Sequence, residues 1–201
     1  MSKLMDEIKA KAAKLNKHIV LAEGEEERII RAAEIISAKK IARLTLIGNP
    51  DVIKAKCPDA KLDGVTIVDP ATSPKTKEYA ALLYELRKAK GMTMEQAEKL
   101  TLDCSYFSVL MIKAGDADGM VSGANHSTAD TVRPALQIIK SRQKGRSVSS
   151  GFIIVAQGEP FVFSDCAVII DPTAQELADI ALDAAETAIQ FDIEPNVAML
   201  C

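Results

Sequence analysis

The chain has 201 residues, of which 48% are hydrophobic and 26% charged, and its formal net charge is −3. This composition is ordinary for a folded globular protein and argues against disorder, and the slight negative charge does not indicate a general nucleic-acid surface. No apolar stretch is long enough to cross a bilayer, and the first residues lack the apolar centre of a signal peptide. We therefore expect a cytoplasmic protein.

Strands and helices alternate along the first 140 residues. Apolar runs predict strands at residues 18–22, 44–47, 65–68 and 120–121. Helical spacing of apolar residues predicts helices at 4–15, from about 25 onward, from 73 to about 91, at 93–102, at 106–113 and from about 128 to 139. This alternation predicts an α/β fold in which helices cover both faces of a parallel sheet.

Ligands bind such folds at the carboxyl ends of the strands. The turn at Glu23 and Gly24 and the loop over residues 122–131 both follow strands at that edge, so we expect them to line one cleft. The acidic residues 25–27 are interpreted as the start of the next helix, because carboxylates are favoured near a helix N-terminus.

The stretch at residues 116–139 has the pattern strand, loop, helix. Its helix repeats apolar residues at a spacing that places them on one face, which we expect to pack on the sheet: Val132, Leu136 and Ile139.

The loop of this stretch has a composition suited to an anion. Gly123 allows close approach of the backbone, and hydroxyl donors stand beside a helix N-terminus at Ser127, Thr128 and Thr131. Arg133 adds a planar cation that fits phosphate. An equally weighted alternative is that residues 127–131 only cap the helix, with Pro134 in its first turn.

A basic segment at residues 140–146 predicts a domain boundary, with a first domain at 1–142 and a second at 143–201. The second part is predicted to contain a hairpin of strands 148–155 and 160–170, a helix after Asp171 and a buried strand at 197–200. The inward face of that helix is predicted at Leu177, Ile180, Ala184 and Ile189.

The four cysteines, at positions 57, 104, 166 and 201, are far apart and show no metal-ligand spacing. We therefore predict free thiols and no metal site. Arg87, near the end of a predicted helix, is by its position alone a surface cation favoured by the helix C-terminus.

Five stretches, in chain order, resemble motifs of the bacterial and archaeal phosphate acetyltransferases. They are residues 21–28, 82–92, 118–139, 164–168 and 171–178, and the resemblance extends over essentially the whole chain. It implies reversible acetyl transfer between coenzyme A and inorganic phosphate, with acetyl-CoA, phosphate and acetyl phosphate as ligands and no separate cofactor. It also implies a homodimer and two α/β domains resembling isocitrate and isopropylmalate dehydrogenases.

The resemblance also assigns roles to residues. It implies catalytic roles for Arg133 and Arg87. It implies substrate contacts for Ser122, Gly123, Ser127, Thr128, Thr131 and Cys166. Cys166 is expected near the cleft without acting as a nucleophile, and His126 is expected to be structural because no partner for a base is visible in the sequence.

Members of this family continue beyond the position of Cys201 with a serine-arginine pair and an aspartate base. The chain is therefore expected to be a truncated form with an incomplete second domain and impaired turnover. Two alternatives stay open: a butyryl-type acyl specificity, and a non-catalytic module that binds acyl phosphate or coenzyme A.

Overall fold

The computed structural model describes residues 3–140 and 147–200. The chain divides into two compact units, a larger one at Ala10–Lys140 and a smaller one made of Met1–Lys9 with Ser141–Cys201. The predicted boundary at residue 142 and the basic residues 141–146 lie outside the described residues. None of the helices at 3–140 and 147–200 combines the length and apolar character that a membrane span requires.

The larger unit is built on a four-stranded parallel sheet. Its strands are β1 (His18–Leu21), β2 (Arg43–Ile47), β3 (Val65–Val68) and β4 (Gly119–Val121), in the order β3-β2-β1-β4. The prediction of an α/β unit with a parallel sheet is confirmed.

The helices are α1 (Lys3–Leu15), α2 (Glu27–Ala38), α3 (Pro50–Lys56), α4 (Thr76–Arg87), α5 (Met94–Thr101), α6 (Cys104–Ala114), α7 (Thr128–Ile138) and α8 (Ala174–Gln190). Helix α3 was not predicted, although its start carries a strong signal. The Asn49 side chain accepts hydrogen bonds from Asp51 N and Val52 N at 2.9 and 3.3 Å, and Pro50 occupies the first helical position.

Two apolar clusters lie on opposite faces of the sheet. Neighbouring residues of a strand point to opposite faces, and accordingly Val20 belongs to one cluster and Leu21 to the other. The first cluster contains residues of α4 to α7, including the edge-to-face pair Tyr79 and Phe107, whose ring centroids are 5.0 Å apart. The second contains Ile30 of α2 and other residues of α2 and α3. Helices therefore cover both faces, as the sequence predicts.

The predicted inward face of α7 is wrong. Pro134 and Ile138 are buried, whereas Leu136 and Ile139 are 46% and 41% exposed. The helix packs against α6 and α4 rather than directly on the sheet, and this turns positions 134 and 138 inward. Pro134 is the seventh residue of the helix, so its predicted place in the first turn is also wrong.

The smaller unit contains the predicted hairpin. Strands β5 (Gly151–Ala156) and β6 (Glu159–Ser164) are antiparallel, and both turn residues, Gln157 and Gly158, have positive φ, as a tight hairpin turn requires. Helix α8 begins with a capping box between Thr173 and Glu176.

Other predictions for this unit are wrong or only partly right, and Ile180 is the one predicted inward residue of α8 that is buried. Strand β6 ends at Ser164, because the carboxylate of Asp165 accepts the backbone N–H groups of residues 166–169 and turns the chain. On α8 the buried residues are Ile180 and Ala188, while Ile189 is 60% exposed. Residues 197–200 form no strand: β5 and β6 pair only with each other, and Leu200 is 89% exposed.

Candidate functional site

The loops that follow β1 and β4 lie side by side at the carboxyl edge of the sheet. These strands are neighbours, with Leu21 opposite Val121, and Ala22 N donates to Val121 O at 3.2 Å. The chain runs outward from β1 to β3 on one side and places β4 on the other, so the sheet order reverses between β1 and β4. Such a switch point is where open α/β sheets bind ligands.

Glu23, the second residue after β1, holds the loop after β4 with both carboxylate oxygens. Its Oε2 accepts Gly123 N at 2.7 Å and Ala124 N at 2.6 Å. Its Oε1 accepts Asn125 N at 2.6 Å, His126 N at 2.9 Å and His126 Nδ1 at 2.7 Å. The side chain is only 3% exposed, so one buried carboxylate fixes four consecutive residues of the loop.

Burial alone would raise the pKa of Glu23, but the hydrogen bonds from His126 and from the loop amides outweigh it and hold the pKa at about 2. The carboxylate is therefore charged at neutral pH. The amides of residues 123–126 already donate to it, so the backbone donors left for a ligand lie further along the loop and on α7.

Ser127 is the N-cap of α7. Its Oγ accepts Asp130 N at 3.2 Å and donates to Asp130 Oδ2 at 2.7 Å, so Ser127 caps this helix. The amides of Thr128 and Ala129, at the start of the same helix, have no intrahelical acceptor. They lie at the positive end of the helix dipole, where an anion is favoured.

Three predicted site residues carry buried polar atoms that have no partner. Within the described residues, four buried side-chain nitrogen or oxygen atoms lack a hydrogen bond, and three of these are Arg87 Nε, Ser122 Oγ and Thr131 Oγ1. Leaving a buried donor unpaired costs about 1–3 kcal/mol, and such groups need an explanation. A bound ligand that accepts these donors would supply it.

The charges of the two predicted catalytic arginines both affect the pKa of one hydroxyl, that of Tyr106. Burial raises the pKa of Tyr106 most strongly, while the charges of Arg133 and Arg87 oppose this effect. Tyr106 OH donates to Gln137 Oε1 on α7 at 3.0 Å, so the end of α4 and the helices α6 and α7 converge here. The Arg133 side chain is 56% exposed, and its Nη1 lies 3.5 Å from Asp130 Oδ1.

Residues 3–201 match the family described as phosphate acetyl/butaryl transferase. The chain belongs to this family. It is 45% identical over 202 residues to the phosphate acetyltransferase of Bacillus subtilis, covering 100% of this chain and 62% of that protein. It is also 45% identical over 195 residues to the phosphate acetyltransferase of Helicobacter pylori, covering 96% of this chain and 38% of that protein.

A solved structure agrees with this assignment. The crystal structure of a phosphotransacetylase from Streptococcus pyogenes matches with a TM-score of 0.92 and 42% identity, covering 100% of this chain and 63% of that one. The chain thus spans less than two thirds of the length of these family members.

Cys166, the remaining predicted contact of this family, lies in the smaller unit directly after Asp165. Its Sγ donates to Phe163 O at 3.1 Å, and its amide donates to Asp165 Oδ1 at 2.8 Å. Burial raises the pKa of Asp165, but the hydrogen bonds of Ser150 and of the following amides hold it well below its usual range. Asp165 thus orders the segment that carries Cys166.

Sequence reasoning missed the role of Glu23 and misplaced the start of α2. The helix begins at Glu27, while Glu25 Oε1 accepts Asn49 N at 2.9 Å and Glu26 pairs with Arg28 and with Asn125 Nδ2. The sequence did carry a signal for the role of Glu23. It is an acidic residue directly after a buried strand, at the carboxyl ends of the strands, where a glycine-containing loop is expected.

Proposed function

We propose that this chain takes part in acetyl transfer between coenzyme A and inorganic phosphate, with its larger unit binding the phosphoryl group. In this proposal Arg87 and Arg133 neutralise the phosphoryl oxygens. The hydroxyls of Ser122, Thr128 and Thr131 and the first amides of α7 donate to them, and Ser127 joins them by turning its hydroxyl proton from Asp130 to the phosphoryl group. The curated relatives are named phosphate acetyltransferases, which is the activity we extend to this chain.

One observation carries the proposal: the buried Arg87 Nε, Ser122 Oγ and Thr131 Oγ1 have no partner in the described part of the chain. Arg87 ends α4, Ser122 follows β4 and Thr131 lies in α7, so the three unpaired groups come from separate elements. A phosphoryl group has enough acceptor oxygens to satisfy all three, and Arg133 adds a charge-assisted contact.

The chemistry suits these groups. Attack of a coenzyme A thiolate on the carbonyl carbon of acetyl phosphate forms the thioester carbon-sulfur bond and expels phosphate. Cations and donors on the phosphoryl oxygens stabilise the leaving group as its charge develops. A base must also remove the thiol proton, because an unperturbed thiol pKa is about 8.5. We assign no described residue to that step.

Further properties are part of the same proposal. They are an architecture resembling isocitrate and isopropylmalate dehydrogenases, division near residue 142, homodimer formation, a cytoplasmic location and a contact of Gly123 and Cys166 with substrate.

The test is an assay of the purified chain for acetyl-CoA formation from acetyl phosphate and coenzyme A, together with calorimetric titration of acetyl phosphate. The proposal predicts measurable binding of acetyl phosphate and measurable formation of acetyl-CoA. Absence of binding contradicts the whole proposal. Binding with no turnover at all favours the non-catalytic module.

The family description also names butyryl transfer, so acyl specificity is a second question. A comparison of acetyl-CoA, propionyl-CoA and butyryl-CoA as acyl donors to phosphate answers it. We propose acetyl-CoA as the preferred donor, and a larger kcat/KM for butyryl-CoA would contradict this preference.

A further inference from the structure

A cysteine, a histidine and an aspartate meet beside the loop that Glu23 holds. Cys104 is the first residue of α6, and its Sγ lies 4.0 Å from His126 Nε2. Asp103 caps the same helix through Oδ1, which accepts Ser105 N and Tyr106 N, each at 3.0 Å. One ligand atom of each of the three residues lies within 4.8 Å of the others.

The imidazole of His126 is already oriented as in a metal site. Its Nδ1 lies 2.7 Å from Glu23 Oε1, an oxygen that also accepts Asn125 N and His126 N, so Nδ1 is the donor in this contact and carries the proton. The Nε2 lone pair is then available on the side of Cys104. Metal-binding histidines in proteins almost always donate their other ring N–H to a carboxylate, a carbonyl or a water in this way.

Two carboxylates lie beside the thiol and the imidazole. Asp103 belongs to the same cluster as Cys104 and His126, and Glu23 contacts the other nitrogen of the His126 ring. A divalent cation bound between these groups would offset the negative charge of the carboxylates.

The cluster also has room for an ion and water. A cavity of about 320 Å³ opens at the carboxyl ends of β1 to β3, and its lining includes Cys104, His126, Glu23, Glu25 and Asp69. A small cation can therefore reach the thiol and the imidazole from solvent.

We propose that Asp103, Cys104 and His126 bind a zinc-class divalent ion, with Glu23 orienting the imidazole and water completing the coordination. In a tetrahedral zinc site the sulfur and nitrogen ligands lie about 3.5 Å apart, given bonds of about 2.3 and 2.0 Å. The observed distance between Cys104 Sγ and His126 Nε2 is 4.0 Å, so the two atoms need to approach by only about 0.5 Å. Thiolate and imidazole select zinc or cobalt over magnesium or calcium. None of the three ligands belongs to the proposed phosphate site.

The test is a titration of the reduced chain with Co²⁺ in phosphate-free buffer, followed by competition with Zn²⁺ and calorimetry with Zn²⁺ alone. We expect a sulfur-to-cobalt charge-transfer band, which Zn²⁺ removes. Cys104→Ser should abolish the band, and Cys166→Ser, the matched control, should retain it. Asp103→Asn preserves the helix cap and should weaken Zn²⁺ binding about tenfold or more.

His126→Gln, checked for fold by circular dichroism, should weaken Zn²⁺ binding at least as strongly as Asp103→Asn. Absence of the charge-transfer band in the unaltered chain, or its persistence in Cys104→Ser, would overturn the proposal. An unchanged Zn²⁺ affinity in folded His126→Gln would overturn it as well.

Discussion

Glu23→Gln tests whether one carboxylate holds the loop between β4 and α7. Glutamine keeps the shape of the side chain but has a single acceptor oxygen, and its NH₂ group must face one of the two sets of N–H donors. One set, on Oε2, is the backbone amides of Gly123 and Ala124. The other set, on Oε1, is the backbone amides of Asn125 and His126 together with the His126 imidazole. At least two buried donors therefore lose their acceptor.

The lowered pKa of Glu23 gives the size of the stability loss expected for Glu23→Gln. A carboxyl whose pKa falls from 4.5 to about 2 on folding contributes about 3 kcal/mol, and solvent screening is small because the side chain is 3% exposed. One kcal/mol corresponds to about 2–4 °C in a protein of this size, so Glu23→Gln should lower Tm by about 6–12 °C at pH 7.

The pH dependence has a defined sign. Because folding lowers this pKa, the contribution is complete above about pH 4.5 and is lost as the pH falls through about 2. The difference in free energy of unfolding between the wild type and Glu23→Gln should therefore be constant from pH 7 to 5 and shrink at lower pH.

Thermal unfolding followed by circular dichroism measures the loss, and amide hydrogen exchange should show faster exchange at residues 123–126. Glu27→Gln is the matched control: this glutamate is exposed in the first turn of α2, and its loss should change stability by less than about 0.5 kcal/mol. Equal Tm values for the two variants, or a Glu23→Gln effect that persists unchanged to pH 2, would refute the reasoning.

Gly24→Ala should lower the free energy of unfolding, measured in urea, by about 1–3 kcal/mol, because the added Cβ would lie 2.7 Å from Ile47 O. Gly151→Ala is the control, since the nearest atom to its added Cβ is 3.6 Å away. Equal urea midpoints for the two variants would contradict the predicted clash at Gly24. Thr131→Val should leave the free energy of unfolding unchanged or higher, because the hydroxyl of Thr131 has no partner. The affinity for phosphate should fall about tenfold. A loss of stability with unchanged phosphate affinity would contradict the placing of Thr131 in the phosphate site. Asp165→Asn should speed hydrogen exchange at the amides of residues 166–169, and exchange as slow as in the wild type would show that the carboxylate does not order them.

The sequence predicts the parallel sheet well because its signals are local. Short apolar runs followed by helical spacing identify β1 to β3, and the helix predicted at 93–102 is confirmed as α5, which Thr93 caps. The orientation of α7 was not predictable in the same way. Residues 132, 136 and 139 satisfy helical spacing as well as 134 and 138 do, and only packing on α6 decides which set is buried.

The features that the sequence does not predict depend on contacts between residues that are far apart in the chain. Glu23 lies about 100 residues before the loop it holds, and its run of acidic neighbours suggests a helix start. Cys104 and His126 show no ligand spacing in the chain, but the Glu23 contact and the start of α6 bring the thiol and imidazole together. The segment at 197–200 has the apolar run of a buried strand, yet a strand also needs a pairing partner, and the described residues of the smaller unit provide none.

The most direct measurement of the central claim is the affinity of the chain for orthophosphate, determined by calorimetry for Arg133→Ala and Arg43→Ala. Each variant removes one exposed arginine. Arg43 is the first residue of β2, so it lies at the amino ends of the parallel strands, away from the loops at their carboxyl ends. If Arg133 binds the phosphoryl group, its loss weakens binding about tenfold or more while Arg43→Ala leaves it unchanged. Equal affinities for the two variants would contradict a phosphate site at the start of α7.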